Sequence, residues 1–170
     1  MIAQHDLRSV ISAMAVAFRH LYGGEPDAVI FKTFYWDLRH IVSVYPHSAG
    51  DGDDPRITEW TSEYRSALEE TIGHLRATFP TSVVALRTDP LWNVTFTSRF
   101  GSDPSYVYHV GMHLMSIVRM LSAQHDVALF DFFQIFEGLD PEEYLSDDLH
   151  VQPHYSRMML KIILSGLGCS

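Results

Sequence analysis

The residues whose types and spacing are best suited to chemistry lie in the segment Ser146–Pro153, which reads Ser-Asp-Asp-Leu-His-Val-Gln-Pro. Asp147 and His150 stand three residues apart just before a predicted helix, so a carboxylate can lie beside an imidazole. The carboxylate would hold the tautomer and orientation of the ring, and the other ring nitrogen could act as general base toward a nucleophile. Asp147 or Asp148 could instead be an acid at the start of a helix. The short motif alone leaves both interpretations open.

Three further side chains are candidates for contact with a substrate. Arg87 follows a short apolar run, where a guanidinium could bind a substrate carboxylate or order a loop. The structural alternative is an ion pair with Asp37 or Asp89. Trp36 and Asp37 follow another apolar run, and an aromatic ring at such a place could line a sugar or acyl pocket or cover the core.

The ten histidines also suggest a metal site. His109 and His113 are four residues apart, as are His150 and His154, and this spacing can place two imidazoles on one ion. No motif supplies a third ligand, and the single cysteine, Cys169, excludes an internal disulfide and a cysteine-based zinc site. We expect no cofactor and expect His109 and His113 to be surface or boundary residues. A metal-dependent hydrolase built on that pair is the alternative.

The composition sets the class of protein. The chain has 170 residues, with 12 Lys and Arg against 21 Asp and Glu, which gives a formal charge of −9. An acidic chain is a poor partner for phosphate backbones, so nucleic-acid binding is not expected. Hydrophobic residues make up 46% and charged residues 19%, a globular balance, and no apolar run reaches the roughly 18 residues of a membrane span. We predict one domain over residues 1–170.

Four amphipathic helices are predicted around these residues. The first would begin after Asp6 as N-cap and stop at Gly23-Gly24; the second and third would start at Asp54-Pro55 and Asp103-Pro104, and the fourth at Pro153. Apolar residues at three- and four-residue steps mark the faces expected to be buried. These residues are Leu7, Val10, Ile11, Met14, Phe18 and Leu21; Ile57, Trp60, Tyr64, Leu68, Ile72, Leu75 and Phe79; Val107, Val110, Leu114, Ile117, Val118 and Leu121; and Met159, Ile162 and Ile163.

Short apolar runs between the helices predict strands. They are Ala28–Phe31, Ser82–Leu86 and Val127–Phe133, and each follows a helix. Continuous apolar runs in alternation with helices are typical of parallel strands in an α/β fold. Ligands of such folds bind beyond the carboxyl ends of the strands, so the site should form from the loops Lys32–Asp54, Arg87–Asp103 and Gln134–His150.

In this context the chain resembles the SGNH (GDSL-type) hydrolase superfamily, in its PC-esterase-like branch. Asp147 and His150 match the family's Asp-x-x-His pair, which lies after the last strand and before the final helix. Trp36-Asp37-Leu38 is similar to the Trp-Asp-Leu that follows a strand in that branch, and Thr88-Asp89-Pro90 is similar to the Thr-x-Pro at the end of the next strand. The resemblance spans roughly Glu25–Leu164.

The resemblance implies a partial three-layer α/β/α sandwich, with a parallel flavodoxin-like sheet of about three strands. It implies hydrolysis or transfer of an acyl ester, on an acylated carbohydrate or lipid. His150 would be the general base and Asp147 its orienting acid, while Asp37, Trp36 and Arg87 would shape the substrate pocket. Backbone N–H groups would hold the oxyanion, and no cofactor is implied.

The chain also departs from the family pattern. It contains no Gly-Asp-Ser nucleophile motif, and the family's oxyanion Asn has no counterpart near Trp36. The three predicted strands correspond to the third to fifth of the family, so the domain is expected to lack its first strands and Ala28–Phe31 to form an open edge. An open edge can accept a strand. The alternative to an esterase is therefore a degenerate, non-catalytic module that forms homo- or hetero-oligomers through this edge.

Overall fold

A computed structural model describes residues 4–33, 38, 40–42, 55–90, 103–146 and 150–168. The predicted site residues Trp36, Asp37 and Asp147, and the predicted cap Asp54, lie outside these ranges. The elements in chain order are α1 (Gln4–Tyr22), β1 (Ala28–Lys32), α2 (Pro55–Thr78), β2 (Val83–Arg87), α3 (Pro104–Gln124), β3 (Ala128–Phe130), α4 (Phe132–Phe136), α5 (Pro141–Tyr144) and α6 (Pro153–Gly166). Within the described ranges no helix is both long and apolar enough to cross a membrane.

The three strands form one parallel sheet in the order β1-β2-β3. Ile30 pairs with Ala85, and Ala85 pairs in turn with Ala128. Successive side chains of a strand point to opposite faces of the sheet. Leu86 accordingly packs in a core with α1, α2 and α3, whereas Ala85 packs in a second core with α4 and α6. Helices thus cover both faces, and the predicted α/β sandwich with a three-stranded parallel sheet is confirmed.

The helix predictions hold best for α2, α3 and α6. Asp103 is the N-cap of α3 and accepts a hydrogen bond from the N–H of Ser105 at 2.7 Å, with proline at the first turn. Most of the predicted faces of α2 and α3 is buried, and Ile72, Val110 and Leu114 have no exposed surface. Ile117 is half-buried, and the side chain of Ile57 lies outside what the structure describes. Residues 38 and 40–42 add Leu38, Ile41 and Val42 to the same core.

Two predictions about α1 are wrong. The helix already includes Gln4, so Asp6 lies inside it and is not its N-cap. Of the predicted buried face, only Ile11 is buried; Val10, Met14 and Leu21 are 51%, 64% and 71% exposed. The helix packs on α2 along a narrow line through Ile11 and Ala15, because no described element covers its outer face.

The run Val127–Phe133 is a strand only in part. The strand ends at Phe130, and α4 begins at Phe132. Asp131 causes the change, because its carboxylate accepts a hydrogen bond from the N–H of Gln134 at 3.1 Å and caps the new helix. The prediction of one long strand was wrong because side-chain capping outweighs the continuous apolar pattern.

The strand β1 lies at the edge of the sheet. Among the described residues it pairs with β2 alone, as the sequence predicts. Ile30 in its middle is 36% exposed, and Val83 at the start of β2 is 50% exposed. The open edge on which the alternative function depends is therefore present in the described part of the chain.

Candidate functional site

The backbone of His150 is fixed on both sides. Leu145 and Val151 form an antiparallel bridge, and the N–H of Ser146 donates to the carbonyl of His150 at 2.7 Å. The hydroxyl of Ser146 donates to the same carbonyl at 2.9 Å. The imidazole of His150 is exposed. This arrangement holds an accessible histidine directly before α6, as the sequence predicts.

Gln152 closes the base of the same loop. Its N–H donates to the carbonyl of Tyr144 at 2.8 Å, and its side-chain amide donates to the carbonyls of Glu143 and Leu145 at 3.0 and 3.2 Å. The hydrogen bonds of Ser146 and those of Gln152 therefore join residues 143–146 to residues 150–152. The position of His150 depends on this polar clamp.

Aromatic packing holds Tyr144, one of the residues that Gln152 contacts, in the protein core. The Tyr144 ring lies 4.9 Å from the ring of Phe136 and 6.4 Å from that of Tyr155, centroid to centroid, and Tyr144 is buried. Burial, followed by the charge of Asp140, raises the pKa of Tyr144 to about 12. Tyr144 therefore stays neutral and serves as a packing residue beneath the His150 loop.

Charged side chains meet where the strands end. Lys32 is the last residue of β1 and Arg87 the last of β2, and Asp89 lies between their side chains. Its Oδ2 is 2.9 Å from Lys32 Nζ, and its Oδ1 is 3.4 Å from an Arg87 terminal nitrogen. Two cations face one carboxylate, so these three described side chains together carry a formal charge of +1.

Arg87 also contacts the aromatic core. Its guanidinium carbon lies 5.7 Å from the centroid of the Phe132 ring, a distance suited to cation–π attraction. Phe132 belongs to the second core, which also holds Tyr144 and Leu145 at the base of the His150 loop. Arg87 and that loop therefore rest on one aromatic cluster. The Nε of Arg87 is buried and has no hydrogen-bond acceptor among the described residues.

A second polar cluster at this edge was missed by the sequence analysis. Asp131 accepts hydrogen bonds from the Nε of Arg119 at 2.7 Å and from the hydroxyl of Thr88 at 3.3 Å. The Thr88 hydroxyl in turn accepts from the N–H of Phe133 at 3.1 Å. The signal was an aspartate interrupting an apolar run at a strand end, which is a helix N-cap pattern.

The structure brings Arg87 and Asp89 together and so realises one of the two predicted ion pairs. It places His150 on a clamped loop packed on the same aromatic cluster as Arg87. The predicted roles of Asp147, Asp37 and Trp36 concern residues outside the described ranges. The catalytic and substrate-binding roles of all five site residues stay predictions.

The histidine pair on α3 lies at the surface, as predicted. His113 is exposed, His109 is half-buried, and their Nε2 atoms are 3.1 Å apart. Partial burial, followed by repulsion from His109, lowers the pKa of His113. No three potential ligands among histidine, cysteine and carboxylate side chains converge on one point in the part of the chain that the structure describes.

A cavity of about 620 Å³ lies at the amino-terminal ends of β2 and β3, opposite the carboxyl ends of the strands. Its walls include Val83 and Ala128, the first residues of β2 and β3, together with Arg76 and Asp126. Arg76 donates a hydrogen bond to the backbone carbonyl of Asp126 at 3.1 Å, which fixes one wall. None of the predicted site residues lines this cavity. The charged carboxyl edge is the better candidate site, because ligands of parallel sheets bind there.

Comparison with known proteins supplies a likeness in structure but none in sequence. No protein-family model matches the chain, and no curated protein matches it significantly in sequence. The crystal structure of a lipase/acylhydrolase from Enterococcus faecalis is similar, with a TM-score of 0.54 and 15% sequence identity; the match covers 99% of this chain and 86% of that one. At this identity the likeness shows the fold alone. The chain therefore shares the overall fold of this neighbour.

Proposed function

We propose that this protein hydrolyses or transfers the acyl group of a small ester, such as an acylated carbohydrate or lipid, with His150 as general base. The observation that carries the proposal is the structural likeness to a lipase/acylhydrolase over nearly the whole chain. The exposed, clamped histidine before the last helix lies where the sequence resemblance to the SGNH hydrolases expects the base. In this proposal Asp147 is a positioning residue that orients the imidazole.

The chemistry follows from the groups at the carboxyl edge. His150 would take a proton from the attacking oxygen and return it to the leaving alcohol. The net positive charge of the Lys32–Asp89–Arg87 cluster favours binding of an anionic group. In the proposal Arg87 holds a substrate carboxylate, while Trp36 and Asp37 shape the rest of the pocket.

The nucleophile sets the expected rate. The chain has no Gly-Asp-Ser motif, so water activated by His150 is the simplest attacking group that these residues provide. Enzymes deprived of a triad member retain only about 10³–10⁴ of rate enhancement over water. That residual enhancement comes from the oxyanion hole and binding, so we expect slow turnover. Its dependence on His150 would come from general-base activation of the attacking water.

The test is hydrolysis of p-nitrophenyl acetate and of its succinyl analogue by the whole chain and its variants. His150→Ala should lower kcat/KM for both esters by about 10², the lower end of general-base contributions. His154→Ala is the matched control, since it removes an exposed imidazole four residues later, in the first turn of α6, and it should leave the rate unchanged. Equal turnover by the wild type and His150→Ala would refute the assignment of the base.

Arg87 has its own readout in the same assay. Arg87→Met should raise KM for the anionic succinyl ester and leave KM for the neutral acetate unchanged, because only the former carries a carboxylate for the guanidinium. An equal effect on both esters would indicate that Arg87 supports only the local fold through Asp89 and Phe132.

A second candidate function is favoured by the open edge of β1. In that proposal the chain is a non-catalytic module that pairs with a second copy or another protein through β1. Mass measurement in solution by light scattering tests it, with Ile30→Lys as the variant, since a charge at an edge strand opposes pairing. A dimer that Ile30→Lys converts to monomer would support the pairing module, and a wild-type monomer with His150-dependent turnover would support the esterase.

A further inference from the structure

The two histidines on α3 present their ring nitrogens to each other. His109 and His113 are four residues apart on a helix, which places them on one face in adjacent turns. Their Nε2 atoms are 3.1 Å apart, whereas their ring centroids are 4.6 Å apart, with the ring planes at 78°. The nitrogen-bearing edges of the rings therefore face each other.

This separation matches the requirement of one metal ion. Bonds from zinc to imidazole nitrogen measure about 2.0–2.1 Å. Two nitrogens bound to one zinc ion therefore lie about 2.9 Å apart when the N–Zn–N angle is a right angle, and about 3.3 Å apart when it is tetrahedral. The observed 3.1 Å falls between these values. Without a metal, one Nε2 has to donate a proton to the other; with both protons on Nδ1, both Nε2 lone pairs are available as ligands.

We propose that His109 and His113 together chelate one late transition-metal ion, of the Zn²⁺ and Ni²⁺ class, with water in the remaining positions. Imidazole suits these metals. His113 is exposed and His109 is half-buried, so an ion reaches the pair directly from solvent. With no third protein ligand among the described residues, the site is a two-point chelate and not a closed structural centre.

The pair lies beyond the carboxyl ends of the strands, at the same end of the sheet as the candidate active site. Arg119, further along α3, contacts Asp131 just beyond the carboxyl end of β3. His113 and His109 precede Arg119 by six and ten residues, which at 1.5 Å per residue places them about 9 and about 15 Å further out along the helix axis. Metal binding by this pair does not depend on the proposed esterase function.

The test is calorimetric titration of the full chain with Ni²⁺ and with Zn²⁺ at pH 7.5. The wild type should bind one equivalent. His113→Asn and His109→Asn should each weaken that binding by roughly 10²-fold, because the second imidazole acts at high effective concentration once the first has bound. His20→Asn removes an exposed histidine of α1 that has no partner at four-residue spacing, and it should bind like the wild type.

Each outcome decides the proposal. Equal affinity in the wild type, His113→Asn and His109→Asn would overturn it, as would an affinity that falls in His154→Asn instead, since the ion would then lie at the other histidine pair. A second readout is thermal unfolding followed by circular dichroism. Ni²⁺ should raise the Tm of the wild type by binding the folded state, and should not raise that of His113→Asn. An equal rise in both would contradict the proposal.

Discussion

Asp131 is the residue on which the carboxyl edge of the sheet most depends, and its replacement by alanine is the most informative stability experiment. The substitution removes the N-cap of α4, the partner of Arg119 and the acceptor for the Thr88 hydroxyl. Loss of an N-cap costs about 1 kcal/mol. A hydrogen bond between charged groups contributes about 1.5–3 kcal/mol, and the lower end applies because the Arg119 side chain is 37% exposed.

The expected total for Asp131→Ala is therefore a loss of about 2–3 kcal/mol in the free energy of unfolding. Urea denaturation measures it, and with a slope near 2.5 kcal/mol per molar the midpoint should fall by about 1 M. Asp131→Asn keeps a good capping side chain and loses only the charge, so its loss should be about half as large.

Asp103→Ala is the matched control. Asp103 accepts the same kind of capping hydrogen bond, from the N–H of Ser105, and also accepts one from the Ser105 hydroxyl, so it differs from Asp131 chiefly in forming no ion pair that the structure describes. It should cost about 1 kcal/mol, the value of a cap alone. Equal losses for Asp131→Ala and Asp103→Ala would refute the reasoning, since the ion pair with Arg119 would then contribute nothing.

Two further predictions concern a close packing contact and an acid-sensitive ion pair. A Cβ on Gly166 would lie 2.7 Å from an edge carbon of the Phe130 ring, so Gly166→Ala should destabilise the fold by about 1–3 kcal/mol in urea denaturation. Gly73→Ala meets no atom within 4 Å inside α2 and should stabilise the fold by up to about 1 kcal/mol. The pKa of Glu25 lies below its ordinary 4.5, first because the Thr81 hydroxyl donates a hydrogen bond to its carboxylate and then because the Arg19 guanidinium pairs with it. Its contribution to stability is therefore present above about pH 4.5 and is lost as the pH falls through the folded-state pKa, so the difference between the wild type and Glu25→Gln should shrink in acid.

Each of these has a contradicting result. A Gly166→Ala protein as stable as Gly73→Ala would mean that the Phe130 ring moves aside freely. A difference between the wild type and Glu25→Gln that stays the same from neutral pH to pH 3 would mean that the Glu25 charge contributes nothing to the fold.

The sequence predicts most of the architecture because its signals are local. A cap followed by proline, as at Asp103-Pro104, predicts the start of α3 correctly, and Gly23 ends α1 with a positive φ of 76°. The buried faces of α2 and α3 follow from periodicity because neighbours cover both helices. The face of α1 does not, since periodicity predicts which residues share a face and not whether another element packs on it.

The candidate site is less predictable from sequence because most of its contacts join residues that are far apart in the chain. The Arg87–Asp89 pair is two residues apart and was among the predicted alternatives. The contacts of Asp89 with Lys32, and of Asp131 with Thr88, join strands far apart in the chain. They depend on the register of the parallel sheet, which no local pattern specifies.

The central claim is that Asp147 and His150 act as one unit in ester hydrolysis. Its most direct test is a double-mutant cycle in kcat/KM with p-nitrophenyl acetate, using Asp147→Asn, His150→Ala and the double variant, with Asp148→Asn as control. The account predicts that Asp147→Asn lowers the rate, that the double variant is no slower than His150→Ala, and that Asp148→Asn is unaffected, because residues acting as a unit are not additive. Independent losses that multiply in the double variant, or equal rates for Asp147→Asn and Asp148→Asn, would contradict it.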